Sequence, residues 1–305
     1  MSEGLRQFSK YLSNIPQDIL NEIMVKNSFN TQDGNFIEFI VVYQGTADEF
    51  RADAESIGVK FDDLDYGFGI VTMKVSEINK LDNLTRIQYV ELPKVLETTD
   101  YQSNSASCVQ SAWNTYGLSG EGTIIGFLDT GIDFTHPGFI SNDGETRLQY
   151  IYDLQTDKIY NRDDINRALK SDEPYDVVPV QDLAGHGTHV AGIACAGGKI
   201  NFNNYGVAYK SDIIMVKITR EGDINRALST QLMKGVKFLI DKGYELNKPL
   251  IINISLSTNQ GGHNGRSLLE QYIEIVSTVE KVTIVIAAGN EGSAGHHVGG
   301  EVQQI

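Results

Sequence analysis

The chain has 305 residues, 25 basic and 40 acidic side chains, and a formal net charge of −15 at pH 7. At about 150 residues per domain it is one large domain or two ordinary ones, which rules out a disordered tail, and its acidity argues against nucleic acid or an anionic membrane as partner. Hydrophobic residues make up 41 %, yet no run approaches the roughly 20 apolar positions of a spanning helix. Met1 to Lys10 reads MSEGLRQFSK, with no apolar stretch behind it of the kind a secretion signal carries.

The elements begin with Phe36 to Tyr43, where Ile37, Phe39, Ile40, Val41 and Val42 form a β-prone run expected to be a central strand. Thr46 with Glu49 three positions on, then Phe50 and Ala54 at helical spacing, predicts a helix reaching Ser56. Strand patterns follow at Val59 to Phe61 and Phe68 to Lys74, a helix pattern at Ser76 to Leu84, and a strand at Ile87 to Leu92. The order β-α-β-β-α-β is that of the ferredoxin-like split arrangement. From Thr98 to Ser107 the chain turns polar (TTDYQSNSAS) and loses periodicity, so residues 1–102 are read as a small α+β domain and 103–305 as a second domain.

Beyond Gly120 the pattern lengthens. Thr123 to Leu128, Ile213 to Ile218, Leu250 to Leu256 and Val282 to Ala287 are near-continuous apolar strands, with helical spacing over Asp223 to Lys242 and Arg266 to Val279. Such strands separated by helices predict an α/β fold with a parallel sheet covered on both faces. Ligands of such sheets gather at the carboxyl ends of the strands.

Three polar residues stand at those ends. Asp129 directly follows an apolar strand in Asp129-Thr130-Gly131-Ile132-Asp133; alone, it reads more readily as a carboxylate capping a turn than as a catalytic group. His186 opens a small-residue helix in Gly185-His186-Gly187-Thr188-His189-Val190-Ala191-Gly192. His189 lies three residues on, whereas zinc helices favour a four-residue spacing with an intervening glutamate, so His189 is read as a satisfied, partly buried histidine. Asn290, in Ala287-Ala288-Gly289-Asn290-Glu291-Gly292, suits either an oxyanion donor or a left-handed turn. Cys108 and Cys195 supply neither a disulfide framework nor a paired zinc site and are expected to be free thiols.

Taken together, the order Asp, His, Asn in these surroundings resembles the subtilisin-like serine proteases. The resemblance extends to Asn253-Ile254-Ser255-Leu256-Ser257, similar to the strand on which that family pairs substrate backbone, which implies substrate binding by Ser255, Leu256 and Ser257. It implies a subtilisin-like α/β domain preceded by a ferredoxin-like inhibitory prosegment that binds its own catalytic domain. His186 would be the base, Asp129 the carboxylate orienting it, and Asn290 the oxyanion donor. Arg147-Leu148-Gln149-Tyr150 and the stretch from Ala287 to Gly300, with His296 and His297, are most similar to the clostridial Csp-type germination proteases. That narrower likeness implies a protein substrate, the zymogen of a cortex-degrading hydrolase, and a cytoplasmic or spore location. No metal or other cofactor is expected: calcium, which many subtilases bind, finds no loop-ligand spacing in Asp62-Asp63 or Asp172-Glu173.

The family's nucleophile sits in a Gly-Thr-Ser word, and none occurs among the 305 residues. Ser293, three residues past Asn290, opens no helical pattern and is read as a loop serine. The expectation is a chain truncated before the catalytic serine and inactive alone, since a sheet stopped here leaves an unpaired edge. The alternative is a non-catalytic relative that binds or signals through the same groove. Residues Glu97 to Ser103 are the expected site of self-processing.

Overall fold

The computed structural model describes residues 28–31, 34–93, 95–98, 109–219, 226–262 and 264–290. Strands are β1 (Ser28–Thr31), β2 (Gly34–Tyr43), β3 (Lys60–Asp63), β4 (Phe68–Lys74), β5 (Ile87–Glu91), β6 (Val95–Thr98) and β7 (Ile124–Asp129). They continue as β8 (Leu148–Asp153), β9 (Lys158–Asn161), β10 (Asp212–Lys217), β11 (Arg226–Leu228), β12 (Leu250–Ile254), β13 (Leu256–Ser257) and β14 (Thr283–Ile286). The principal helices are α1 (Ala47–Ser56), α2 (Val109–Tyr116), α3 (Arg162–Leu169), α4 (His186–Cys195), α5 (Ser229–Leu246) and α6 (Leu268–Val279). Two compact units result: Met1–Val95 with Leu228–Lys237 and Asn264–Val276, and Leu96–Ala227 with Phe238–His263 and Ser277–Ile305.

In the first unit the sheet runs β3-β4-β2-β5, antiparallel throughout, which is the strand order of the ferredoxin-like split arrangement. Alternate residues of β2 (Ile37, Phe39, Val41, Tyr43) enter one core with Phe50 and Ala54 of α1 and with Phe61, Val71, Ile87 and Val90. Thr46 and Glu49 form a reciprocal capping box at the start of α1. Two features depart from expectation. Val75–Asn83 is a 3₁₀ helix rather than an α-helix; its apolar residues fall at Ile78 and Leu81, followed by Leu84, a three-residue spacing that lines one edge of the tighter coil. Strand β1 adds to the Gly34–Ile37 end of β2, beyond the stretch paired with β5.

The other face of β2 is also buried, and there Glu38 is 4 % exposed. Its carboxylate accepts from Thr230 Oγ1 at 2.6 Å and Lys234 Nζ at 3.2 Å, and Lys234 also reaches Asp62 Oδ2 at 2.8 Å. An ion cluster therefore sits where the apolar run predicts a plain core strand.

In the second unit the sheet order is β14-β12-β7-β10-β8-β9. The first five strands are parallel, as expected, and β9 pairs antiparallel with β8, which adds a hairpin at one edge. Phe127 of β7 packs on one face with Ala191 and Cys195 of α4 and Ile165 of α3. Gly126 faces the other side, where an added Cβ would come within 2.7 Å of Leu239 of α5. Helices thus cover both faces. At the opposite edge from β9, Val285 and Ile286 of β14 are about half exposed.

The single expected strand Leu250 to Leu256 is two elements. It breaks at Ser255, and β13 leaves the main sheet to form a separate one of order β11-β6-β13. The helix expected from Asp223 begins at Ser229, with β11 before it. Apart from Thr98 in β6, the polar stretch to Ser107 lies outside the described residues, as do Cys108, Ser293, His296 and His297.

Candidate active site

Strand β7 delivers Asp129 to the carboxyl rim of the sheet, fully buried. His186 is the first residue of α4, and its Nδ1 lies 2.7 Å from Asp129 Oδ1 with the ring 11 % exposed. A carboxylate oxygen accepts, so this contact places the donated proton on Nδ1 and makes Nε2 the basic nitrogen of the ring. The same Oδ1 accepts the Thr130 backbone N–H at 2.7 Å, while Oδ2 has no partner among the described residues.

So close an approach needs glycine. A Cβ on Gly187 would lie 2.1 Å from the Gly131 carbonyl oxygen, so any larger residue would push α4 off the end of β7. Gly185, the N-cap, adopts φ 75° and supplies no side chain to the first turn of α4. Asp182 takes that part. Its Oδ1 accepts from Gly185 N–H at 2.9 Å and Thr130 Oγ1 at 2.7 Å, and its Oδ2 accepts from Thr188 N–H at 2.8 Å and Thr188 Oγ1 at 2.7 Å. Sequence reasoning passed over Asp182; the available signal was a helix opening on glycine with no capping side chain of its own.

At the far end of α4, Arg147 is 8 % exposed and donates to the Gly138 carbonyl at 2.7 Å, the Ser211 carbonyl at 3.1 Å, and the Cys195 carbonyl. Burial lowers its pKa, yet the cation suits the negative end of a helix. The structural role of Arg147 is to tie the end of α4 to two neighbouring loops.

Cys195 is buried, and desolvation pushes its thiol up to about 11. It is therefore no candidate nucleophile. Iodoacetamide at pH 8 is expected to leave Cys195 unmodified in the folded chain and to alkylate it in urea; peptide mapping that finds it labelled under native conditions overturns this.

Strand β14 ends at the same rim as β7, because β14, β12 and β7 are parallel neighbours, and Asn290 follows four residues later. Ser255 lies at the break between β12 and β13, where its Oγ accepts from Asn253 Nδ2 at 2.9 Å. Leu256 and Ser257 pair antiparallel with Thr98 and Glu97 of β6, so the strand expected to hold substrate backbone holds this chain's own residues 97–98. His189 sits one turn into α4, partly buried. Among the described residues no group of three His, Cys, Asp or Glu side chains could hold a metal ion, and no helix is long and apolar enough to cross a membrane.

The subtilase family model matches residues 120–303, and that of the Csp protease B prodomain matches residues 10–94. The solved Clostridium perfringens CspB protease is 62 % identical with a TM-score of 0.64, over 67 % of this chain and 44 % of that one. Fervidolysin from Fervidobacterium pennivorans, 20 % identical with a TM-score of 0.57 over 88 % of this chain and 42 % of its own, shares the fold. Among curated proteins, the PII-type proteinase of Lacticaseibacillus paracasei is 29 % identical over 243 residues, 73 % of this chain and 12 % of its own length. The chain thus spans a minor part of these relatives.

Proposed function

Because the chain belongs to the subtilase family, we propose that it serves peptide-bond hydrolysis by a serine endopeptidase, with His186 as general base, Asp129 as the carboxylate that holds its ring, and Asn290 as donor to the oxyanion. The observation that carries this reading is the 2.7 Å contact between His186 Nδ1 and buried Asp129. It fixes the tautomer in which Nε2 can take a proton from an attacking hydroxyl, and it stabilises the imidazolium that forms. The imidazolium then gives that proton to the leaving amine, while an amide at Asn290 meets the charge on the former carbonyl oxygen.

Extended peptide binds by strand addition to β13, as residues 97–98 do, with Ser255, Leu256 and Ser257 along its path. Residues 1–102 act as an intramolecular prosegment, a reading that the match to the Csp protease B prodomain supports, and 103–305 belong to the catalytic domain. The substrate is a protein, and the likeness to a Csp protease makes the zymogen of a spore cortex hydrolase our proposed target, with the spore as the location.

No Gly-Thr-Ser word occurs in these residues, so the chain of 305 residues alone is expected to turn over no peptide and to keep its intact mass of 33.7 kDa. A spontaneous split between Glu97 and Ser103 in this chain overturns that expectation. The gene tests the wider reading: an in-frame Gly-Thr-Ser word after the codon for Ile305 supports the protease, and a stop codon there favours the binding module.

A further inference from the structure

We propose that Asp182 is the positioning residue of the Asp129–His186 pair, acting through Thr130 to keep the imidazole in its Nδ1–H form. The proposal rests on the proposed base-and-carboxylate reading of that pair and adds what holds it. The direct bond alone is a single contact between the end of a strand and the first residue of a helix. A buried histidine on a short apolar helix can keep its fold while the ring rotates away, so something must fix β7 and α4 relative to each other to within a fraction of an ångström.

The fixing group is one carboxylate shared between the two elements. Thr130, the residue after Asp129, gives its backbone N–H to Asp129 Oδ1 at 2.7 Å and its hydroxyl to Asp182 Oδ1 at 2.7 Å, and that hydroxyl accepts Gly187 N–H at 2.9 Å. On the helix side, Asp182 receives Gly185 N–H on Oδ1, and both the N–H and the hydroxyl of Thr188 on Oδ2. These donors flank His186 in sequence. Thr188 Oγ1 in turn accepts the Asp133 N–H at 2.8 Å, closing a second link to the segment after β7.

Four donors converge on the two carboxylate oxygens, two on each. An asparagine at 182 would offer one acceptor and present an N–H group to donors, so it cannot satisfy both sides. The arrangement differs from an ordinary helix cap, which satisfies the helix N–H groups alone. Here Thr130, 2 % exposed, makes Asp182 a brace between strand and helix.

The test is nitrogen-15 NMR of the 305-residue chain labelled at histidine, with His186 assigned through His186→Ala. The unsubstituted chain is expected to show one exchange-protected Nδ1 proton and a single Nδ1–H tautomer for His186. Thr130→Val removes the hydroxyl, and with it both the bond to Asp182 and the bond from Gly187 N–H, and leaves the Asp182 side chain and its own bonds to Gly185 and Thr188 in place. It is expected to lose the protected proton and give mixed tautomers, as is Asp182→Asn; Thr130→Ser is expected to restore the unsubstituted spectrum. A protected proton and single tautomer retained in both Thr130→Val and Asp182→Asn, with only the melting temperature lowered, overturns the proposal and makes Asp182 a plain cap. Should Asp182→Asn fail to fold, Thr130→Val decides alone. Absence of the Nδ1–H form in the unsubstituted chain overturns the pairing itself and the brace with it, which separates the two failures.

Discussion

The product of the whole gene carrying His186→Ala is expected to hydrolyse peptides about 10⁶-fold more slowly than the unsubstituted protein, with KM little changed. The size is that known for loss of the base in subtilisin, a member of the same family, and is taken over from it. The physical reason is local. The substitution removes the imidazole held 2.7 Å from Asp129, which is the group placed at the rim of β7 to take the nucleophile's proton. Asp129→Asn should cost less, about 10⁴-fold, because the imidazole remains but its tautomer is no longer held. Asn290→Ala should cost less still, about 10²–10³-fold, the range for one oxyanion donor. The ranking His186, then Asp129, then Asn290 is the informative result. Equal losses at all three, or a His186→Ala protein within tenfold of the unsubstituted rate in single-turnover assays, would show that hydrolysis runs through other groups.

Much of this site is legible in the sequence because its parts are local. Asp129 and His186 each stand at a junction of apolar periodicity with glycine, and a strand-to-loop junction in an α/β sheet points its polar residue at the rim. Central strands are legible for a similar reason: β7 and β10 are buried on both faces over most of their length, so their apolar runs are nearly continuous, while β12 alternates buried and partly buried residues. What stays hidden depends on partners distant in sequence. Strand β9, Lys158–Asn161, alternates Lys, Ile, Tyr and Asn with Ile159 half exposed, so composition gives it no strong strand signal until β8 lies beside it. The break at Ser255 does not interrupt the apolar pattern, and only the pairing of Leu256 with Thr98 reveals that β13 serves another sheet. Asp182 and Arg147 resemble ordinary surface charges in the sequence, because the groups they hold are backbone atoms of other segments.

Lys234→Met is expected to destabilise the first unit by about 3 kcal/mol at pH 7, the low end for breaking a buried ion pair by removing one partner. The methionine replaces most of the aliphatic stem, so the loss reports charge more than packing. Glu38 then loses its ammonium partner and keeps the neutral donors Thr230 and Gln231, and Asp62 keeps Lys60 at 3.5 Å. Directions of proton binding agree. Burial raises the Asp62 pKa, but Lys234 and Lys60 outweigh it and hold the carboxyl below its ordinary 3.8. Burial likewise lowers that of Lys234, and Glu38 and Asp62 outweigh it, leaving the amine above its ordinary 10.5. A lowered carboxyl contributes stability above its unfolded value and loses it as pH falls through the folded one; a raised amine contributes below its unfolded value and loses it as pH rises through the folded one. The cluster is therefore fully stabilising between about pH 4 and pH 10 and weakens on both sides. The deficit of Lys234→Met should shrink as the solution is acidified below pH 4, because protonated carboxyls no longer need the amine. Hydrogen exchange of the β2 amides with and without the substitution, at pH 7 and near pH 3.5, measures that deficit where the cluster sits. A deficit of the same size at both pH values would mean that Lys234 acts through its packing.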